Sequence, residues 1–321
     1  MKKENLKPFP TLEKAKEEVN SFLNQLPNLY YIDENLKHTL RRYQQSALLY
    51  LNWSQKQVDA NEKYNQLMFN MATGSGKTDV MAAVILYLFK EFKYTNFLFV
   101  SNTTAVVDKT KENFLNTVSA KYLFSAPINI DGERIDIKSV ESFPINQEPN
   151  TIYLKLSTVQ SLSNELYDPQ ENALTFDDLE KHKIVILADE AHHFNAQTKK
   201  NQREETSWEN LLDQIRRSNK LNRQLEFTAT IDVDKEDVYE KYKDKIIYKY
   251  DLSKFMEEGY SKNVFRLQAN NDNMQKLLNA VLLSQYRKRI AQKLEIPNFK
   301  PILLVKSNRI KTSQTVKDDF L

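Results

Sequence analysis

Half of the chain's four glycines lie in one stretch, Met71-Ala72-Thr73-Gly74-Ser75-Gly76-Lys77-Thr78. An average chain of this length would hold about twenty glycines at the usual ~7 %. Glycine is nearly absent except where a backbone must wrap around something. The Gly-Lys-Thr ending matches the phosphate-binding loop, in which consecutive backbone N–H groups point at a polyphosphate. In such a loop the lysine reaches the outer phosphates and the threonine hydroxyl ligates Mg²⁺. Thr73, Gly74, Ser75, Gly76, Lys77 and Thr78 are therefore the candidate cradle. Met71 stands where the loop pattern has its first glycine, a position that shapes the start of the loop and does not touch phosphate.

A second set of chemistry-bearing residues follows the branched apolar run Ile184–Ala188, namely Asp189-Glu190-Ala191-His192. A carboxylate at the tip of a buried strand can hold the Mg²⁺, and its neighbour can polarise the water that attacks a γ-phosphate. Asp189 suits the first role and Glu190 the second. With no cysteine in the chain, and only these two acids nearby, His192 and His193 do not make a zinc site. His192 is better placed to hydrogen-bond to another motif and transmit nucleotide state, while His193 reads as structural.

These residues need elements to hold them. Leu67–Met71 reads as a buried strand and Asp79–Lys90 as a helix that is apolar nearly all round, so the glycine loop has the context its chemistry requires. Ile184–Ala188 suits a central parallel strand buried on both faces. Trp208, Leu211, Leu212 and Ile215 recur at helical spacing, which predicts an amphipathic helix over Ser207–Asn219 with those residues in the core. The polar stretch Ala196–Thr206 reads as a loop. A long helix is expected over Met274–Leu294, punctuated by Pro297 and Pro301, and then a new strand over Pro301–Val305.

At 321 residues, 40% of them hydrophobic, the chain can hold one large or two ordinary domains. No apolar run approaches the ~20 residues of a membrane span, the longest being Val80–Phe89, and the first residues lack the apolar stretch of a signal peptide. The absence of cysteine excludes disulfides and thiolate metal sites and fits a cytoplasmic protein. A net charge of only +3 does not announce nucleic-acid binding, which has to be argued from motifs.

Phosphate loop plus Asp-Glu-Ala-His resembles the pattern of superfamily-2 helicases and translocases, and further segments match in order. Leu40-Arg41-Arg42-Tyr43-Gln44-Gln45-Ser46-Ala47 is similar to the stretch whose glutamine recognises adenine in that superfamily, a role that falls to Gln44. Asn96–Ser101 with the loop Asn102-Thr103-Thr104 resembles motif Ia. Thr151–Leu156 followed by Ser157–Leu162 resembles the next strand and motif Ib. The resemblance implies that Ser101, Asn102, Thr103 and Thr158 touch the nucleic-acid backbone, contacts that carry no sequence information. Leu225–Thr230 looks like motif III, so Thr228 and Thr230 join His192 in coupling.

Among branches the chain most resembles the type III restriction enzyme Res subunit, through the Met-Ala-Thr-Gly-Ser-Gly-Lys-Thr wording and the Glu-Phe-Thr-Ala-Thr run. That resemblance implies a RecA-like three-layer α/β motor lobe with a mainly parallel sheet, using ATP and Mg²⁺. It implies duplex DNA as partner through its backbone, and a modification methyltransferase subunit in the full system. Its domain pattern is an N-terminal helical segment over 1–36, the first motor domain over 37–262, and a linker helix with the start of a second lobe over 263–321. The arginine-bearing motif of a second lobe needs a Gly-Arg pair that the chain does not contain, so one motor lobe plus the beginning of the next is expected, turning ATP over slowly by itself. An RNA or repair helicase of another branch is the nearest alternative. A nucleotide-binding switch without turnover is the other, and intact Lys77, Asp189 and Glu190 argue against it.

Overall fold

The computed structural model describes residues 8–21, 29–168, 174–190, 202–231, 233–261, 272–306 and 309–320. Its contacts divide the chain into two units, Met1–Lys262 and Asn263–Leu321.

Runs of apolar residues dictate the centre of the first unit. Its strands are β1 (Gln66–Met71), β2 (Asn96–Ser101), β3 (Ile128–Ile130), β4 (Glu133–Ser139), β5 (Thr151–Thr158), β6 (Ile184–Asp189), β7 (Arg223–Thr228) and β8 (Ile246–Tyr250). They form one sheet in the order β3-β4-β5-β2-β6-β7-β1-β8. All its pairings are parallel except the β3–β4 hairpin at one edge. Parallel strands covered on both faces must be apolar on both, and β2 and β6 are buried almost end to end.

Side chains alternate between the two faces, as the two-residue period of a strand requires. Phe97 and Phe99 of β2 enter one core with helix Lys77–Phe92 and with Phe114 of helix Thr104–Leu115. Leu98 and Val100 enter the opposite core with Leu162 of helix Val159–Tyr167 and with Leu211 and Ile215 of helix Gln202–Ser218. A smaller cluster joins Phe9 and Leu12 to Met68, Tyr242 and Ile246. The N-terminal helix Pro10–Ser21 therefore packs within the first unit, and Thr11 donates to the Asp244 carbonyl at 2.8 Å.

The register of three central strands sets the level of the site. Phe69 of β1 and Asp189 of β6 both pair with Phe227 of β7. Phe69 and Phe227 stack with centroids 4.8 Å apart and planes 9° apart.

Element boundaries lie within a few residues of expectation for β1, β2, β5, β6 and β7, for helix Lys77–Phe92 and for helix Asn273–Lys293. Two expectations are corrected. Gln202–Thr206, read as loop, belongs to helix Gln202–Ser218, because glutamine, arginine and glutamate are good helix formers whatever their polarity. Residues 301–305, read as a new strand, pair with no strand among the described residues, and Ile302 and Leu304 stand exposed. An apolar run becomes a strand only when a neighbour takes up its N–H and C=O groups.

Glu226 of β7 is buried, and its Oε1 accepts from Gln66 Nε2 at 2.6 Å and from Gln224 Nε2 at 2.7 Å. Burial pushes its carboxyl above the ordinary range, and Lys245, itself pushed down by burial, acts on it. The folded chain therefore holds this proton to higher pH than the unfolded chain. That stabilisation is full below the unfolded pKa and is lost as pH rises through the folded one. Glu226→Gln keeps the shape and an acceptor while removing the titration. The melting temperature of the variant is expected to gain on that of the parent as pH rises from about 5 into the alkaline range. A difference that stays flat across that range would mean that Glu226 has an ordinary carboxyl.

Candidate functional site

β1 ends at Met71, and the loop it feeds turns at Gly74 (φ 80°) and Gly76 (φ 77°) before helix Lys77–Phe92 begins. Gly76 occupies the N-cap position in left-handed conformation, without a capping side chain. The first helical N–H groups are thus left to the loop's interior, the usual setting for an anion. The Ala72 N–H donates to the Tyr250 carbonyl at 2.8 Å, tying the loop's start to β8.

Two side chains from the Leu40–Ala47 stretch hold the loop from beneath. Tyr43 donates its hydroxyl to the Ser75 carbonyl at 2.9 Å. Gln44 Nε2 donates to the same carbonyl at 3.1 Å and to that of Gly76 at 3.3 Å. The Gln44 Oε1 accepts from its own helix, at the Arg41 N–H, 2.8 Å away. Both donors of this amide are committed to the loop, and one acceptor position stays open. Nearby, His38 Nδ1 lies 2.9 Å from Asp79 Oδ1. Ser75 Oγ is buried without a partner among the described residues, which marks a polar cradle in want of a ligand.

The acidic pair closes the other side. Burial and the charge of Glu190 push the Asp189 carboxyl up to about 6, while Lys77 and Lys109 pull it the other way. Glu190 turns back in left-handed conformation (φ 54°) and donates its N–H to Asp189 Oδ1 at 3.0 Å. That turn brings Glu190 Oε1 to 3.9 Å from Lys77 Nζ. The structure thus joins Lys77 to Glu190 although β7 separates their strands. Thr78 follows Lys77 in the first turn of the helix. The donors offered by Thr78 and Asp189 are hard oxygens, a set that fits Mg²⁺.

The remaining expected residues are more dispersed. Thr228 is fully buried at the end of β7, where its hydroxyl donates to the Thr230 carbonyl at 2.8 Å. Asn70 Nδ2 donates to the Thr228 carbonyl at 3.4 Å, and Thr230 itself is exposed. His192 lies outside the described residues. Ser101 is buried and pairs with Thr158 across β2 and β5. Thr103 and Thr158 cap two helices, accepting from the Val106 and Ser161 N–H groups. Asn102 is half-buried, and its Oδ1 has no partner among the described residues. Thr103 is the exposed member of the set. A cavity of about 380 Å³ lies beside Thr230 and is lined by Phe9, Asn70 and Lys249, but by no residue of the glycine loop.

A mainly parallel sheet with a glycine loop leaving one strand and paired carboxylates leaving another defines a class, the phosphate-loop α/β nucleotide-binding lobe. Residues 37–233 match the family described as type III restriction enzyme, res subunit, and the chain belongs to that family. It is 37% identical over 319 residues to the probable type III restriction-modification enzyme HindVIP Res subunit of Haemophilus influenzae. That alignment covers 91% of this chain and 61% of the relative, so the chain spans about three fifths of the relative's length. Three solved structures show looser likeness. The ATP-dependent type ISP restriction-modification enzyme LlaBIII bound to DNA has a TM-score of 0.43 at 14% identity, covering 69% of this chain and 16% of that one. The Sulfolobus solfataricus SWI2/SNF2 ATPase core in complex with dsDNA has 0.38 at 16%, covering 70% and 41%. The UvsW helicase of bacteriophage T4 has 0.35 at 14%, covering 76% and 78%.

Sequence reasoning passed over Tyr43 and Lys109. The tyrosine stood beside Gln44 in the same stretch, so its place was visible while its hydroxyl's target was not. Nothing in the local sequence of Lys109 points toward Asp189.

The loop's geometry leads to a prediction. Both loop glycines have positive φ, so alanine at either is strained by about 1–2 kcal/mol. A Cβ at Gly76 would in addition press on Gln44 Nε2 and come within 3.0 Å of Asp79 Oδ2, whereas a Cβ at Gly74 would meet nothing. Thermal unfolding and MgATP titration of the two variants should show the larger losses for Gly76→Ala. Equal losses would mean that Gln44 gives way freely.

Proposed function

We propose that residues 37–262 form the ATP-hydrolysing lobe of a DNA translocase in a restriction system. In this reading 1–36 is an N-terminal helical segment, and 263–321 is a linking helix with the opening of a second lobe. The observation that carries it is the 3.9 Å approach of Lys77 to Glu190 beside Asp189, at the carboxyl ends of parallel strands. Such crevices are where open α/β sheets take their ligands.

Each residue's task follows from its placement. The loop N–H groups from Thr73 to Thr78 surround the phosphates, and Lys77 faces the outermost. Thr78 and Asp189 would hold Mg²⁺, which when bound supplies charge neutralisation across the phosphates. A phosphate arriving at Lys77 competes with Glu190 for that cation, leaving the Glu190 carboxylate to accept a hydrogen bond from the attacking water. Gln44 reads adenine through its open Oε1 position, which can accept from the exocyclic amine while its donors stay on the loop.

Thr228, Thr230 and His192 are proposed to relay nucleotide state. Ser101, Asn102, Thr103 and Thr158 line the side offered to duplex DNA. For Ser101 this requires local opening, since it is buried. A modification methyltransferase subunit as partner and the cytoplasm as compartment belong to the same reading.

Nucleotide titration of this chain, and steady-state ATPase assays with duplex DNA or RNA on a longer chain that also carries the second lobe, separate these roles. Lys77→Ala should abolish measurable ATP binding. Asp189→Asn should weaken the Mg²⁺-dependent part of it. Glu190→Gln should bind nearly as the parent does and hydrolyse roughly 10²–10⁴-fold more slowly, because its task is confined to the transition state. Gln44→Ala should narrow the preference for ATP over GTP. Hydrolysis by Glu190→Gln at the parent rate would refute the assignment, and stimulation by RNA in place of duplex DNA would refute the restriction-system reading.

A further inference from the structure

The Ser75 carbonyl takes two donors, the Tyr43 hydroxyl at 2.9 Å and Gln44 Nε2 at 3.1 Å. Together they fill the two acceptor positions of that oxygen. A peptide unit is planar and trans, so its C=O and the following N–H point in opposite directions. Holding the Ser75 carbonyl down onto Tyr43 and Gln44 therefore holds the Gly76 N–H away from them, toward the inside of the loop. Burial pushes the Tyr43 hydroxyl above the ordinary phenol range, which keeps it a donor.

The Tyr43 ring is held as firmly as its hydroxyl. It lies parallel to Tyr250 with centroids 4.1 Å apart and planes 8° apart. It meets Phe255 edge-on at 6.2 Å and Tyr260 at 5.2 Å, and Phe255 and Tyr260 stack at 5.9 Å. Its carbonyl accepts from the Tyr248 hydroxyl at 2.7 Å. The Arg41 guanidinium lies over the Tyr260 ring at 4.7 Å. Phe255 and Tyr260 follow β8 directly, so a continuous aromatic cluster runs from the phosphate loop to the last described turn of the first unit.

We infer that Tyr43 is a positioning residue for phosphate binding: its hydroxyl sets the Ser75–Gly76 peptide, and its ring, packed against Tyr250, Phe255 and Tyr260 together, passes the setting of the loop to Tyr260. This rests on the nucleotide site proposed above and adds to it a residue that touches the loop and not the ligand.

The test uses Tyr260→Trp as an emission reporter, with the signal of Trp53 and Trp208 subtracted by means of the parent, and MgADP as ligand. Tyr43→Phe removes the hydroxyl and keeps the ring. It should weaken MgADP binding about 3- to 10-fold, the scale of one hydrogen bond, and at saturating MgADP it should lose the response of the reporter at position 260. Tyr250→Leu keeps the hydroxyl bond and removes the stacking partner. It should bind MgADP near the parent level and lose part of the same response, the direct contact of Tyr43 with position 260 carrying the rest. Tyr248→Phe deletes a neighbouring buried hydroxyl that does not reach the loop, so it should lower the melting temperature and leave MgADP affinity unchanged. A parent that binds no MgADP overturns the nucleotide site and this inference with it. A parent that binds, beside a Tyr43→Phe variant that binds equally well, overturns the positioning role alone. A reporter response as large in Tyr250→Leu as without that substitution overturns the part given to the aromatic stack.

Discussion

Lys77 and Glu190 are carried by strands that do not touch, and the site exists because β7 holds those strands at one level. Phe69 of β1 and Asp189 of β6 both stand opposite Phe227. A slip of one residue along either pairing would turn every side chain of that strand to the other face and carry its terminal loop out of reach. The Phe69–Phe227 stack and the clean alternation of Phe97 and Phe99 against Leu98 and Val100 resist such a slip, because each face is already packed by its own helices. Core packing is in this sense the first requirement of the chemistry.

Charge is treated differently at the strand ends and inside the sheet. At the tip of β6, Asp189 and Glu190 repel each other in a mostly buried corner, and the protein leaves Lys77 and Lys109 to relieve them only in part. Such a corner favours an incoming cation. Two residues before the end of β7, Glu226 is surrounded instead by the carboxamides of Gln66 and Gln224, donors that suit an acid whether or not it carries its proton. The first arrangement leaves its charge only partly answered, and the second answers its acid with neutral amides.

Tyrosine takes a role here that the scarce glycines do not. Buried rings supply apolar area, and their hydroxyls tie distant carbonyls together. Tyr43 reaches Ser75, Tyr94 reaches Leu221, Tyr239 reaches Pro8 and Tyr248 reaches Tyr43. The first three link a loop or chain end to the packed body of the first unit, and the fourth ties β8 to the helix that carries Tyr43. They let loops keep a defined shape where the sequence has almost no glycine to turn them.

The sequence by itself determined where the candidate chemistry lies. The glycine loop ending in Lys77-Thr78, the Asp189-Glu190 pair behind a branched apolar run, and the likeness of Leu40–Ala47 to an adenine-reading stretch are local patterns. Each can be read because its residue types must stand at short fixed spacings along one element. Tertiary structure decided what those elements meet. It placed β7 between the two motif-bearing strands, folded the N-terminal helix onto the sheet, committed both Gln44 donors to the loop and aimed the Tyr43 hydroxyl at Ser75. It also left residues 301–305 without a strand partner among the described residues, although their composition is that of a strand. A hydrogen bond across the chain and a pairing between strands depend on partners remote in sequence, and no local spacing records which partner folding will bring.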